Sequence, residues 1–218
     1  MSGYIDKISD KNALLLCAEQ LRKKKFNPGF DGMTSEKAYM WLGINGLSVS
    51  EELKKGRYKP MPVVGFYITK RNGRYRRLSK TAALDTIIQN LITEVTREEC
   101  ETKFSDYSHA YRIGKGVGTA LEQYCSFASK YPMAGKIDPI SFFDNIDRDI
   151  LRSAVNEFFG DEELTELIMS FVKAPLYNDG RFEYPDKGIF QGAPISICLV
   201  IYIFIPWICF WKRRIFLL

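Results

Sequence analysis

Two β-rich runs, Pro62 to Lys70 and Arg74 to Ser79, flank the dipeptide Asn72-Gly73, and nothing else in the chain constrains its fold as tightly. An Asn-Gly pair adopts the positive φ values of a two-residue turn at little steric cost, so the spacing predicts a tight antiparallel hairpin. The hairpin is also charged. From Leu53 to Lys80 there are ten basic residues and no acidic one, interleaved with Tyr58, Phe66, Tyr67 and Tyr75. Cations mixed with aromatic rings suit phosphate backbones and stacked bases. The competing reading is a solvated basic edge that keeps the strands from pairing with other chains.

Helical spacing surrounds the hairpin. Asn12 to Lys25, Ser35 to Leu42 and Ser48 to Lys55 are predicted helices, the last opening on a Ser48/Glu51 capping box. The string from Asn27 to Thr34 is predicted as loop. Ala82 to Glu99 places Leu84, Ile87, Ile88, Leu91, Ile92 and Val95 on one face of a long amphipathic helix, and Val117 to Tyr131 repeats the pattern. Met133 to Asp138 is predicted as a short strand ending in a carboxylate. Asp147 is placed to cap a helix through Phe159, and Asp161 starts another that runs to Ala174.

Apolar residues make up 46% of the 218, enough for a buried core. Five cysteines form no CxxC pair and His109 is the single histidine, which excludes a structural zinc site. The first thirty residues lack a signal-peptide layout, so a cytoplasmic location is expected. The net charge of +5 is unevenly placed: the first half is basic, and the second carries Asp138, Asp144, Asp147, Asp149 and the Asp161-Glu162-Glu163 run.

Three features carry chemistry. Lys70, Arg74 and Arg76 on the hairpin have the spacing to hold a polyphosphate. Asp138 at a strand end is where a hard Mg²⁺ ion could be held, although such an aspartate is more often a cap. The loop Gly188 to Ser196 has glycines that permit close backbone approach and a Gln191 that can donate and accept.

Taken in order, these segments resemble the reverse transcriptases encoded by group II introns and their bacterial relatives, over roughly residues 27 to 196. Asp31-Gly32-Met33-Thr34 is similar to the family's opening Asp-Gly block, and Gly56 to Val63 to its Tyr-x-Pro-x-Pro-Val stretch. Ile68 to Gly73 with Arg76-Arg77-Leu78 resembles the Ile-Pro-Lys-x-Asn-Gly hairpin that ends in Arg-Pro-Leu. Tyr107 to Lys115 is similar to the Tyr-Gly-Phe-Arg-Pro-Gly block. Ile137-Asp138 with Phe142 to Asp147 resembles the palm strand Asp-Ile-x-x-Phe-Phe-Asp-x-Ile, and Gln191-Gly192 through Ser196 the Pro-Gln-Gly…Ser block.

The resemblance implies an α+β fold: the fingers of a right-hand polymerase over residues 1–130, a partial palm over 131–196, and no thumb. It implies that Asp138 and the Pro139 carbonyl bind Mg²⁺, and that Lys70 and Arg76 hold the triphosphate of an incoming dNTP. Phe143 would be the gate against a ribose 2′-OH, and Gln191 with Gly192 would border the nucleotide. Arg57, Lys59, Arg71, Arg74 and Arg112 would contact RNA, either a template or the intron itself. Thr69, Arg77 and Phe190 stand where the family has prolines.

No Tyr-x-Asp-Asp block occurs in the 218 residues, and two-metal phosphoryl transfer needs carboxylates on both ions. The chain is therefore expected to be an inactive fragment of an RNA-directed DNA polymerase. From Ile197 to Phe210 every residue is apolar. Trp207-Ile208 and Trp211-Lys212 force GAT and GAA codons in the shifted frame. In that frame permitted codons read LLSNIYLHPLDLFLE, similar to the helix the family has here. This suggests a one-base frameshift near codon 197, with residues 197–218 out of frame. The alternative is a non-catalytic RNA-binding module whose apolar tail anchors it in a membrane.

Overall fold

A computed structural model describes residues 3–24, 26–69, 73 and 75–204 of the 218. Its layers are helical and α+β. A core of helices is flanked by a small sheet, with α1 Tyr4–Ile8, α2 Lys11–Lys24 and α3 Ser35–Lys54 leading into the hairpin β1 Val63–Thr69 and β2 Tyr75–Lys80. Helices α4 Ala83–Lys103, α5 Val117–Ala128, α6 Phe142–Asn145, α7 Arg148–Phe159 and α8 Glu162–Val172 follow, then the strands β3 Leu176–Asn178 and β4 Arg181–Glu183.

The α4 helix is central because its apolar stripe is continuous: Ile87, Ile88, Leu91 and Ile92 are all buried against α1, α2 and α3. Ala82 has no side-chain oxygen with which to cap α4. Asp31 supplies one from the preceding loop, its Oδ2 accepting from the Ala83 amide at 2.8 Å. Gly29 lets that loop come so close, since a Cβ there would sit 2.2 Å from the Thr81 carbonyl oxygen.

The two strands pair antiparallel as expected, with Val64 opposite Lys80 and Thr69 opposite Tyr75, a register one residue off the one a two-residue Asn72-Gly73 turn would set; most of the turn lies outside the described residues. β1 also pairs in parallel with β3, Val63 opposite Leu176, and β3 turns back into β4 to give the order β2-β1-β3-β4. The β3-β4 turn has Asp179 and Gly180 at φ +46° and +82°, both in the left-handed region a tight hairpin needs. Val63, Ala174, Leu176, Phe190 and Ala193 make a second, smaller core beneath the sheet.

Three local expectations change. Helix α3 runs unbroken through Gly43 and Gly46, so Ser48 is interior rather than a cap. At Gly46 a Cβ would lie 3.1 Å from the Lys11 side chain, so the missing group lets the start of α2 approach. Met133 to Asp138 is not a strand: every residue there is exposed, no neighbouring strand pairs with it among the described residues, and Pro139 removes a ladder donor. Residues 196–204 are helical, and Leu199, Ile201 and Tyr202 enter the main core, so these tail residues are occupied by packing. Among the described residues no helix is long and apolar enough to cross a membrane, and residues 205–218 lie outside them.

Asp147 and Asp161 cap their helices as expected. Asp147 accepts from the Asp149 and Ile150 amides, and Asp161 from the Leu164 amide at 2.9 Å.

Candidate functional site

The loop from Gly188 to Gly192 joins the sheet to the α6 turn. Its amides at Gly188 and Ile189 donate to the carbonyls of Ile146 (2.7 Å) and Phe143 (2.8 Å). Gly188 sits at φ +81°, where a Cβ would lie 2.8 Å from the Asp144 carbonyl oxygen, so both conformation and space demand glycine. On the other side the Gln191 carbonyl accepts from the Ser79 amide (2.8 Å) and hydroxyl (3.0 Å). Gly192 has φ +112° and would place a Cβ 2.5 Å from the Ser79 carbonyl oxygen. Gln191 and Gly192 therefore lie against the edge of β2, while Ile189 of the same loop is tied to the Phe143 backbone; the half-buried Gln191 side chain makes no hydrogen bond among the described residues.

Alternation along the hairpin sorts its cations. Arg76 pairs with Ile68 and lies on the face of Phe66 and Leu78, with the Lys80 ammonium 4.9 Å from the Phe66 ring centroid. Arg77 lies on the opposite face. There its guanidinium meets the Asp144 carboxylate of α6 at 3.2 Å and Glu183 of β4 at 3.9 Å. Sequence reading placed Arg76 at the triphosphate and passed over Arg77, although the period of two separates the pair. Lys70, Arg71 and Arg74 lie outside the described residues.

The Arg76 face continues into rings. Phe30 packs on Tyr177 and Phe182 at centroid separations of 5.3 and 5.9 Å, and Phe30 and Phe182 remain partly open to solvent. This aromatic group is not apparent from spacing, because Phe30 comes from the loop before α3.

The Asp31 and Tyr58 to Val63 blocks near the start of the fold act through a buried carboxylate. Asp85 in the first turn of α4 accepts from the Tyr58 hydroxyl (2.6 Å) and the Met61 amide (2.9 Å), fixing the stretch that leads into β1. Burial pushes Asp85 up from 3.8 to about 7, and nearby Asp31 adds to the rise while the two hydrogen bonds oppose it. Burial likewise raises the Tyr58 hydroxyl well above its ordinary value.

Arg112 departs from its expected role. It is buried, and its guanidinium bonds Glu101 (2.9 and 3.0 Å) and the carbonyls of Glu101, Ser105 and Ser108, so no donor is left facing outward for a template. It organises the segment between α4 and α5. His109, held by Thr119 (2.9 Å) and Gln123 (2.8 Å), anchors α5 to the same segment. Arg57 is exposed and paired with Glu52 at 2.7 Å, and Lys59 is exposed.

Asp138 and Pro139 lie in the exposed stretch before α6. Among the described residues no group of three or more His, Cys, Asp or Glu is placed to hold a metal ion. One carboxylate and one carbonyl do not make a magnesium site, which takes near-octahedral oxygen coordination.

No family model matches the sequence. The chain is 26% identical over 181 residues to Protein YkfC of Escherichia coli K12, covering 80% of this chain and 47% of that protein. It is 29% identical over 151 residues to the group II intron-encoded protein LtrA of Lactococcus lactis, covering 68% of this chain and 25% of LtrA. The putative COX1/OXI3 intron 1 protein of Saccharomyces cerevisiae is 25% identical over 191 residues, 84% of this chain and 22% of its own length. The chain thus spans about half of YkfC and a quarter or less of the other two. Among solved structures, a chain of a partial Cas6-RT-Cas1–Cas2 complex superposes with a TM-score of 0.60 at 21% identity, over 91% of this chain and 33% of that one.

Proposed function

We propose, taking this chain as a reverse-transcriptase-like fragment related to group II intron-encoded proteins, that it forms the RNA-binding fingers and the nucleotide-bordering loop of an RNA-directed DNA polymerase. The carrying observation is the closure of the Gly188–Gly192 loop onto Ser79 and onto the Phe143 carbonyl, which sets Gln191 at the edge of a basic hairpin. In this reading Lys70 and Arg76 hold the triphosphate, and the Phe143 ring excludes a ribose 2′-OH. Gln191 offers its free amide to the nucleotide, and Gly192 keeps the backbone close.

RNA lies along the Arg76 face, where Lys80 supplies charge and Phe30, Tyr177 and Phe182 supply stacking surfaces. Asp138 is one oxygen ligand of a Mg²⁺ set whose remaining carboxylates are not among the described residues. On its own the 218-residue chain accordingly binds RNA and does not extend a primer. The test is twofold. Filter binding of an intron-type RNA should weaken steeply with salt, and primer extension with Mg²⁺ and dNTPs on an RNA template should yield no product. A flat salt response would overturn the RNA reading, and template-dependent extension abolished by Asp138→Ala would overturn the inactivity.

A further inference from the structure

Helix α3 buries one face and leaves a second apolar stripe on the other. Ala38, Leu42, Val49 and Leu53 point into the core, while Met40, Ile44 and Leu47 stand 60%, 83% and 65% exposed. Their spacing of four and then three residues is that of a helix-pairing seam. At 100° per residue the stripe lies opposite the buried face, and Lys37 and Glu51 extend it at its two ends.

The stripe has a centre of symmetry. Ile44 is midway between Lys37 and Glu51, and Met40 and Leu47 flank it on either side. An antiparallel copy of α3 crossing at Ile44 would set Ile44 on Ile44, Met40 near Leu47, and each Lys37 ammonium against the other copy's Glu51 carboxylate. The charges are also placed against the helix dipole, with Lys37 in the first turn and Glu51 near the last. Among the described residues Glu51 pairs only with its neighbour Lys55 (2.8 Å), and Lys37 makes no ion pair.

We propose that α3 is a self-complementary interface through which two copies of this chain associate antiparallel about a two-fold axis at Ile44. The apolar seam supplies the attraction, and the two Lys37–Glu51 contacts select antiparallel over parallel, in which like charges would meet. One helix face buries less than the ~1,200 Å² of a standard stable interface, so the association is weak and concentration-dependent. It is independent of the polymerase reading and uses no residue of that site.

Sedimentation equilibrium of the full chain over a wide concentration range is the test. Wild type should show a monomer–dimer equilibrium that Ile44→Glu abolishes while the thermal unfolding curve is unchanged. Lys37→Glu and Glu51→Lys should each weaken the dimer by about fivefold, as two like-charge contacts replace two attractive ones. The double variant Lys37→Glu/Glu51→Lys should recover it. In a Cys125→Ser/Cys209→Ser background, Ile44→Cys should form a disulfide-linked dimer under mild oxidation and Lys37→Cys should not. The two Lys37 positions of an antiparallel pair are far apart, each about 10 Å along the helix from the axis. A monomer at every concentration, a dimer indifferent to Ile44→Glu, or efficient Lys37→Cys cross-linking would each overturn the proposal.

Discussion

Ser79 directs both its amide and its hydroxyl to one atom, the Gln191 carbonyl oxygen, at 2.8 and 3.0 Å. The contact ties the end of β2 to a loop more than a hundred residues further on, with no side-chain room between them.

Gly192→Ala should therefore cost stability on two counts. It forces a non-glycine residue to φ +112° and drives a methyl into the Ser79 carbonyl. Strain of this kind costs about 1–3 kcal/mol before the clash is added. Gly32→Ala, at φ +62° with open space around it, should cost less. Urea unfolding monitored by circular dichroism compares the two midpoints, and an equal or smaller loss for Gly192→Ala would show that the loop is not held this way.

The raised Asp85 carboxyl makes a signed pH prediction. Its folded value near 7 exceeds the ordinary 3.8, so the folded state keeps a proton that the unfolded chain has released. Stability from this group is complete below about pH 4, falls as pH rises from 4 to 7, and is level above that. Asp85→Asn keeps an oxygen for the Met61 amide, turns its NH2 toward the Tyr58 oxygen, which can accept, and removes the titration. Between pH 4 and 7 the wild type should lose stability relative to Asp85→Asn, read as the difference between two denaturation series. A pH-independent difference would place the titration elsewhere.

Leu199 is fully buried within the main core, although it lies in the apolar tail. Leu199→Ala should destabilise by about 2–5 kcal/mol, the usual range for a core leucine. Tyr202→Phe, which removes only the hydroxyl that meets Cys100 Sγ at 3.0 Å, should cost about 1 kcal/mol. Chemical denaturation of both variants separates a packed segment from an appended one, since a disposable tail would tolerate both changes.

Arginines on the surface and in the interior should fail differently. Arg76→Gln should lower RNA affinity and reduce the slope of log affinity against log salt by about one unit. Arg112→Gln should leave that slope unchanged and lower the unfolding midpoint, because it breaks a buried pair with Glu101. Salt titrations of filter binding beside melting curves distinguish the two, and a reduced slope in Arg112→Gln would return that residue to the RNA surface.

Elements governed by local chemistry were legible in the sequence. The antiparallel pairing of β1 with β2, the α4 stripe and the caps Asp147 and Asp161 follow from period and side-chain type. The β3-β4 hairpin carried a comparable signal in Asn178-Asp179-Gly180, but its strands are three residues each, too short for alternation to register. What spacing could not reveal depends on distant partners. Met133 to Asp138 has strand-like residues and no strand beside it among the described residues, Arg112 is consumed by Glu101, and Asp31 caps a helix that begins fifty-two residues later. At the site, Gln191 and Gly192 lie against Ser79, and the same loop is bonded through Ile189 to the Phe143 backbone. Arg77 was missed because a motif position, rather than the face of the strand, directed attention to Arg76.

The parallel pairing of β1 with β3 bears on how the chain is made. Val63 emerges from a ribosome long before Leu176, so during synthesis the hairpin stands with one side of β1 unpaired while α4 through α8 are still being added. The helical layer of α1 to α4 can assemble early from near neighbours. The sheet must wait for its distant partner, and closing so long a loop makes it the slow step of maturation. The basic residues spread from Lys54 to Lys80, repelling other copies of the chain, protect the open edge during that interval.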